Sequence, residues 1–216
     1  MSGSVLVAPS LLAADFADLG AEMARAEAAG ADWHHVDVMD GHFVPNLTIG
    51  PPVVAALARR AAVPLDVHLM IERPAEWAER YAEAGADRLT FHYEAAADFP
   101  AALEAFAATG RPVGVAVDPP CGVEPLRPFL DRIDLVLVMS VKAGFGGQSF
   151  RPEVLAKVEQ LRSWGFAGRI EMDGGIDDRT APRCRAAGAD VLVSGSWLFG
   201  REDMAAGVAT LRGGPA

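Results

Sequence analysis

The sequence contains 216 residues, of which 51% are hydrophobic and 22% charged, a balance that argues against a disordered chain and favours one compact globular domain, although the length alone also allows two small domains. The formal net charge of −10 argues against sequence-independent binding to nucleic acid, because such binding needs clustered Lys and Arg to neutralise phosphates and the sequence has no such cluster. We therefore expect no nucleic-acid partner.

The cysteines and the amino terminus favour a cytoplasmic protein. Cys121 and Cys184 have no CxxC or similar metal-binding spacing, so we expect two reduced thiols and no disulfide framework. The first residues, MSGSVLVAPSLLAADF, lack a basic start and a long apolar segment. No other stretch approaches the roughly 20 apolar residues that a membrane span requires, so we also expect no membrane partner.

Eight short apolar runs follow one another along the chain and predict eight β-strands. In chain order they are VLVAPSLL near Val5, WHHVDVM near Trp33, PLDVHLM near Leu65, RLTFHYE near Leu89, VGVAVDP near Val113, LVLVMSV near Leu135, RIEMDGG near Ile170 and VLVSGS near Val191. Alanine-rich, charged stretches such as DLGAEMARAEAAG and RPAEWAERYAEAG separate them and carry apolar residues at helical spacing. The pattern predicts alternating strands and helices.

A partial internal repeat supports this division. AAGADW at Ala28, EAGADRL at Glu83 and AAGADVL at Ala186 each end a predicted helix with glycine and lead into a strand. Alternation without a long linker favours a parallel sheet, and eight units in about 200 residues fit a single (β/α)8 TIM barrel over residues 1–216. The alternative is an open doubly wound sheet, but no GxGxxG motif follows the first strand.

Titratable side chains are concentrated at the end of the second predicted strand, in the stretch HHVDVMDGHFVPN. In a barrel of this kind the carboxyl ends of the strands form the active face, and alternate residues of each strand point inward. His35 and Asp37 are two residues apart and should share the inward face. His34 and Val36 should face the helices.

Four candidate ligands from three strands converge on that face. His35 and Asp37 come from the second strand, His68 from the third and Asp173 from the seventh. Two imidazoles and two carboxylates suit Zn, Fe, Mn or Co better than Mg or Ca, which prefer shells of oxygen alone. The alternative is that each residue is buried and satisfied by hydrogen bonds, but the convergence of four such groups favours a metal site.

The remaining titratable residues near these strands receive a different interpretation. We expect a structural or surface role for His34, His42 and His92, because none has an argued partner on the inward face. Asp40 is interpreted mainly as a turn residue before Gly41.

Six motifs, in this order over nearly the whole chain, closely resemble the ribulose-phosphate 3-epimerase family: APSLLAADFADLG, HHVDVMDGHFVPN, PLDVHLM, GFGGQSF, MDGG and SGSWLFG. The resemblance implies a TIM barrel of the ribulose-phosphate-binding type and an isomerase of the pentose phosphate pathway. Such an enzyme interconverts D-ribulose 5-phosphate and D-xylulose 5-phosphate by inverting carbon 3 through a cis-enediolate. We further expect a homo-oligomer.

The resemblance also implies roles for the four convergent residues. Asp37 and Asp173 are expected to be the two acid/base groups, one on each side of the planar enediolate, and each switches role with the direction of turnover. One divalent transition metal, Zn, Fe(II), Mn or Co, is expected to be held by His35, Asp37, His68 and Asp173 as a Lewis acid. His68 and Ser10 match substrate-contacting positions, although the hydroxyl of Ser10 could instead bind backbone.

Glycines near the ends of strands six to eight suggest how an acidic protein holds a phosphorylated substrate. Their backbone N–H groups can bind phosphate, although each glycine pair could serve only a tight turn. These predicted substrate-binding residues are Gly144, Phe145, Gly146, Gly147, Gly174, Gly175, Gly195 and Ser196. Met39, Met70 and Met139 should point inward, where thioethers could shield the enediolate from water, unless they are ordinary core residues.

The sequence departs from the family pattern at positions that leave the metal and acid/base set intact. Lys142 and Ala143 replace the usual Asn-Pro or Glu-Pro before GFGG, and Trp197 stands where a small residue is usual. The segment AVDPPCGVEPL, which contains Cys121, replaces an Asn-Pro-x-Thr-Pro pattern. Substrate choice therefore stays open, and a 3-epimerase of another ketose phosphate, such as D-allulose 6-phosphate, is the first alternative.

Two further alternatives belong to other functional classes. A sugar-phosphate decarboxylase is disfavoured because the third strand reads LDVHLM and lacks the lysine of the Asp-x-Lys-x-x-Asp pattern of those barrels. A non-catalytic ligand-binding barrel is disfavoured because four buried charged residues would cost free energy there without a purpose.

Overall fold

The computed structural model describes residues 5–214. Eight parallel strands form one sheet: β1 (Leu6–Pro9), β2 (His34–Met39), β3 (Leu65–Met70), β4 (Arg88–His92), β5 (Val113–Val117), β6 (Leu135–Met139), β7 (Arg169–Asp173) and β8 (Val191–Ser194). Consecutive strands pair from β2 to β8, and β8 pairs with β1. A parallel bridge between Ser10 and His35 joins the chain after β1 to β2, so the sheet closes. The predicted (β/α)8 barrel is confirmed, and the open sheet is excluded.

Helices lie between the strands and after β8: α1 (Leu19–Ala28), α2 (Pro51–Ala58), α3 (Ala78–Glu83), α4 (Phe99–Ala108), α5 (Leu155–Ser163), α6 (Ala181–Ala187), α7 (Ser196–Phe199) and α8 (Met204–Arg212). The connection from β5 to β6 differs, because it is a 3-10 helix over Glu124–Arg132. Pro128 lies inside that segment and has no N–H for an α-helical hydrogen bond. The prediction of one domain over residues 1–216 includes residues 1–4 and 215–216, which lie outside the described residues, and it stays a prediction.

The internal repeat has a structural role at the amino-terminal ends of the strands. The aspartate of each repeat precedes one strand and accepts a hydrogen bond from the backbone at the start of a neighbouring strand. The pairs are Asp32 Oδ2 with Val7 N at 2.8 Å, Asp87 Oδ2 with Leu65 N at 2.9 Å and Asp190 Oδ2 with Ile170 N at 2.8 Å. The glycine of each repeat has the predicted positive φ: 90° at Gly30, 100° at Gly85 and 107° at Gly188.

Two buried layers result from the alternation of side chains along the strands. Val36, Val67 and Phe91 pack outward against the helices. Leu135 and Leu137 belong to a separate cluster inside the barrel. The inward face of the sheet is polar at His35 and Asp37 on β2, His68 on β3 and Asp173 on β7, which places the functional candidates toward the carboxyl ends of the strands. No described helix has the length and apolar character to span a bilayer, and Cys121 and Cys184 are both free thiols, as predicted.

Candidate active site

A cavity of about 550 Å³ opens at the carboxyl ends of the strands. Ser10, Asp37 and Asp173 line it from the ends of β1, β2 and β7. His35 and His68 are fully buried beside these carboxylates. The cavity therefore lies where the active face of such a barrel is expected.

The four predicted ligands meet in one cluster, since their ligand atoms lie within 4.8 Å of one another. His35 Nε2 is 3.4 Å from Asp37 Oδ1 and 3.9 Å from Asp173 Oδ2, and His68 Nδ1 is 3.4 Å from Asp37 Oδ1. Among the described residues, neither of these two ring nitrogens has a hydrogen-bond partner. Buried polar atoms without partners cost free energy, and this set of donor atoms is that of a transition-metal site.

Two further carboxyl groups lie beside His35 inside the barrel, and one of them, Asp66, orients it by a hydrogen bond. Its Nδ1 lies 2.8 Å from Asp66 Oδ2 on β3 and 3.5 Å from Glu171 Oε1 on β7. All three side chains are fully buried. When Nδ1–H donates to Asp66, the lone pair of Nε2 faces Asp37 and Asp173. This arrangement is the carboxylate–histidine pair that commonly fixes the tautomer of a metal ligand.

The electrostatics of the cluster separate the two candidate acid/base groups. Burial opposes the charge on Asp37, but the positive charge that His35 has when both of its ring nitrogens are protonated holds the pKa of Asp37 well below its usual range. Burial and the negative charge of Asp37 raise the pKa of Asp173 to about 7. Burial lowers the pKa of His68 to about 4, so this imidazole is neutral at pH 7, as a ligand must be. The two aspartates thus differ in proton affinity before any ligand binds.

Glu171 gives a prediction about stability. Burial and the charge of Asp66 raise the pKa of Glu171 to about 8. The unfolded chain ionises this group near pH 4.3, roughly the usual value, so the folded state binds more protons between these two pKa values. Stability therefore falls as pH rises through this window. Glu171→Gln should remove that fall. In protein stripped of metal by a chelator, the free energy of unfolding of the variant minus that of wild type should be larger at about pH 8 than at about pH 5, by on the order of 1–3 kcal/mol.

Urea unfolding of both proteins at the two pH values measures this difference. Glu159→Gln, which changes an exposed glutamate of α5, is the matched control and should show no such trend. A stability gap for Glu171→Gln that is the same at both pH values would contradict the prediction.

Ser10 contacts an acid/base candidate directly. Its Oγ donates a hydrogen bond of 2.7 Å to Asp37 Oδ2, so the hydroxyl binds a side chain rather than backbone. Oδ1 of the same carboxylate faces the two histidines. The hydrogen bond fixes the carboxylate plane, and the predicted substrate contact of Ser10 stays a prediction.

The three methionines line the cavity beside the cluster. Met39, Met70 and Met139 are each at most 2% exposed and contribute to the same pocket wall. Their inward orientation agrees with the sequence prediction. The role predicted for these thioethers is to limit the access of water to that part of the cavity. The shielding role itself stays a prediction.

The predicted phosphate-binding segments line the mouth of the same cavity: Gly144, Phe145, Gly146, Gly147, Gly174, Gly175, Gly195 and Ser196. Backbone packing alone requires some of these glycines, since a Cβ on Gly175 would lie 2.8 Å from Phe150 N. Gly146 is different, because it has open space around the Cβ position and no left-handed φ. Lys142 also lines the cavity and adds a cation to its rim.

The roles expected for two of the other histidines, and for Asp40, agree with the structure. His34 faces the helix layer, where its Nε2 lies 2.9 Å from Glu27 Oε1. Asp40 is the turn residue that was expected, since its Oδ1 accepts hydrogen bonds from the backbone N–H groups of His42 and Phe43. His42 forms part of the same exposed turn.

His92 is buried, which fits the structural role expected for it, but the reason given for that role, the lack of a partner on the inward face, was wrong. Its side chain points into the barrel and its Nε2 lies 2.9 Å from His68 Nε2, so it has a partner on the inward face. Sequence reasoning also missed Asp66 and Glu171. The alternation of β4, in which Leu89 and Phe91 face the helices, was a signal that could have found His92.

The barrel, its cavity and the buried cluster define a (β/α)8-barrel enzyme with a candidate metal centre. The family described as "Ribulose-phosphate 3 epimerase family" matches residues 6–199. A ribulose-phosphate 3-epimerase of Mycobacterium tuberculosis (strain ATCC 25618 / H37Rv) is 50% identical to this chain. The match covers 98% of this chain and 93% of the relative. A ribulose-phosphate 3-epimerase from Bacillus subtilis (strain 168) is 44% identical, and the match covers 97% of this chain and 99% of the relative. The chain belongs to the ribulose-phosphate 3-epimerase family and is an isomerase, which confirms the resemblance.

Solved structures with a similar fold include decarboxylases. A 3-keto-L-gulonate-6-phosphate decarboxylase from Vibrio cholerae O1 biovar El Tor matches with a TM-score of 0.73 and 18% identity, over 97% of this chain and 96% of its own. A 3-hexulose-6-phosphate synthase matches with a TM-score of 0.62 and 22% identity, and the match covers 98% of this chain and 100% of the synthase. At these identities the likeness shows the fold alone.

Proposed function

We propose that the protein inverts carbon 3 of a ketopentose phosphate and interconverts D-ribulose 5-phosphate and D-xylulose 5-phosphate. One observation carries the proposal: Asp37 on β2 and Asp173 on β7 line the same cavity and belong to one cluster with His35 and His68. Inversion at carbon 3 needs a base on one face of the carbon and an acid on the other. Carboxyl groups from two separated strands of the barrel can supply both.

The proposed reaction moves one proton from one face of the substrate to the other. One carboxylate removes the hydrogen of carbon 3 as a proton, and the electron pair of the C–H bond forms a double bond to carbon 2. The carbonyl oxygen at carbon 2 gains the negative charge. The other carboxyl group then donates its proton to the opposite face of carbon 3, and the ketone forms again. The protein ends with the acid and base roles of Asp37 and Asp173 exchanged.

The residues present fit a divalent transition metal. His35 Nε2 and His68 Nδ1 are buried, lack hydrogen-bond partners within residues 5–214 and face the carboxylates of Asp37 and Asp173. We propose that these four residues hold one Zn, Fe(II), Mn or Co ion. When bound, such an ion supplies Lewis-acid stabilisation of the negative charge on the substrate oxygens.

The side chains of the cavity account for orientation and exclusion of water. Ser10 holds the carboxylate of Asp37 by a hydrogen bond, so one oxygen faces the cluster and the plane of the group is fixed. Met39, Met70 and Met139 cover the adjoining wall. The glycine segments at the mouth offer backbone N–H groups for the phosphate, which compensates for the acidity of the protein as a whole.

The substrate gives a second prediction. We expect kcat/KM for D-ribulose 5-phosphate to exceed that for D-allulose 6-phosphate by at least about 10-fold, because one extra carbon unit is worth roughly 10–200-fold at a fitted site. Steady-state assays with both sugars measure the ratio. A preference for the six-carbon sugar would replace this proposal by the alternative epimerase. Release of carbon dioxide from a sugar acid would indicate a decarboxylase, although His68 stands in the third strand where that chemistry places lysine.

Cytoplasmic location, assembly as a homo-oligomer and the lack of nucleic-acid binding stay predictions. Light scattering coupled to size-exclusion chromatography tests the oligomeric state directly.

A further inference from the structure

We propose that His92 is a positioning residue that fixes the tautomer and ring orientation of His68, and that the carboxylate of Glu94 favours the matching tautomer of His92. The inference rests on the metal site of the proposed function. It adds two residues of the β4 segment to the support of that site, and neither contacts the ion or the substrate.

The contact between the two imidazoles is close and fully buried. His92 Nε2 lies 2.9 Å from His68 Nε2, and the ring centroids are 5.0 Å apart with an interplanar angle of 23°. Both side chains are inaccessible to solvent. Phe43 packs against the ring of His92 with a centroid distance of 4.9 Å, so the ring is held from a second side. The geometry leaves His92 little freedom to rotate away from His68.

The two ring nitrogens of His68 face different partners. Nδ1 faces Asp37 Oδ1 at 3.4 Å, whereas Nε2 faces His92. A neutral imidazole carries one hydrogen, so Nδ1 can offer its lone pair to a metal only if the hydrogen is on Nε2. That hydrogen must then be donated to Nε2 of His92. The tautomer needed for ligation is therefore the one that this contact stabilises.

The tautomer of His68 also determines the tautomer of His92, which lies next to the carboxylate of Glu94. When His92 accepts at Nε2, its own hydrogen is on Nδ1. This nitrogen lies 3.4 Å from Glu94 Oε2, and the contact lacks the geometry of a hydrogen bond, so the nearby carboxylate favours the hydrogen on Nδ1 electrostatically. Glu94 is held in turn, because its Oε1 accepts a hydrogen bond of 2.8 Å from the backbone N–H of Asp118. His68 thus reaches a carboxylate through one intervening imidazole, whereas His35 reaches Asp66 directly. Both metal-facing histidines have the outer support that orients such ligands.

Three variants test the role of His92 in the full-length protein. His92→Leu removes the acceptor, and His92→Gln offers an amide oxygen near the position of Nε2. Thr90→Val is the matched control, because Thr90 lies on the same strand, is fully buried, and has an Oγ1 without a hydrogen-bond partner among the described residues. Each protein is stripped with a chelator, and its affinity for zinc is measured by competition with a chromogenic chelator.

We expect His92→Leu to bind zinc about 10- to 100-fold more weakly than wild type does. The zinc affinity of His92→Gln should lie within about threefold of the wild-type value, and that of Thr90→Val should equal it. Cobalt-loaded His92→Leu should also show a changed visible absorption spectrum, which loss of packing alone would not produce in a protein that remains folded. Equal zinc affinity for His92→Leu and wild type would overturn the proposal.

A measurement on wild type alone keeps the inference testable if His92→Leu fails to fold. In zinc-loaded protein labelled with 15N at histidine, we expect His68 to carry its hydrogen on Nε2 and His92 on Nδ1. The opposite tautomer at either ring would overturn the proposal. Failure of the proposed function gives a different result: wild type would bind zinc with the predicted dependence on His92 but would not turn over D-ribulose 5-phosphate.

Discussion

Asp173→Asn is expected to lower kcat for epimerisation by about 10²–10⁴-fold, the range that a positioned acid/base group contributes. An amide cannot take the proton of carbon 3 or return it, whereas its shape is close to that of the carboxyl group. Asp37→Asn should have a loss of similar size, because inversion needs both groups in each turnover. Initial rates in both directions measure the effect, together with the metal content of each preparation.

The control for these variants is Asp178→Asn. Asp178 is an exposed carboxylate on the loop that follows β7 and does not line the cavity, so its replacement should leave kcat unchanged. Near-normal turnover by Asp173→Asn or Asp37→Asn, with metal content like that of wild type, would show that the residue is not an acid/base group.

Removal of the metal is the second change with a large expected effect. Chelation should lower kcat/KM by at least about 10²-fold, because Lewis-acid stabilisation of developing negative charge is worth several kcal/mol. The His35 and His68 nitrogens that face the cluster would again be buried without partners. Addition of Zn, Fe(II), Mn or Co should restore activity, and the ion that restores it at the lowest concentration identifies the preferred metal.

Metal analysis by plasma mass spectrometry on the assayed sample is the control for incomplete stripping. Calcium or magnesium should restore activity poorly, since two imidazole nitrogens do not suit ions that prefer oxygen. Full turnover by protein shown to be free of metal would rule out the Lewis-acid role.

The barrel and the main cluster could be predicted from sequence because both depend on local patterns. A short apolar run marks each strand, and the glycine of the repeat marks the end of a helix, as Gly85 does. Once a barrel is assumed, a spacing of two residues places His35 and Asp37 on one face. Parallel strands bring their carboxyl ends together, so His68 and Asp173 join them without knowledge of any contact.

The supporting residues could not be predicted in the same way, because their roles depend on pairing between strands. Asp66 is directly paired with His35 across β2 and β3, and Glu171 approaches from β7 at the same level. Their partners are set by the register and stagger of the closed sheet, which local patterns do not give. His92 lies two residues beyond Thr90, the residue paired with His68, and its neighbour is known only once that register is fixed.

The proton affinities also could not be predicted from sequence. Asp37 and Asp173 are the same residue type at similar strand ends, but burial and the arrangement of charged neighbours move their pKa values in opposite directions. The difference comes from distances of a few ångströms to His35, which only the folded cluster defines.

A crystal structure of the metal-loaded protein with an inert alcohol analogue of the substrate, in which the ketone is reduced, tests the two-sided geometry most directly. We predict that carboxyl oxygens of Asp37 and Asp173 lie within about 3.5 Å of carbon 3, the distance of a near-attack arrangement. The two carboxyl groups should lie on opposite faces of the plane through carbons 2, 3 and 4. Both carboxyl groups on one face, or either of them out of reach of carbon 3, would contradict the proposed epimerisation.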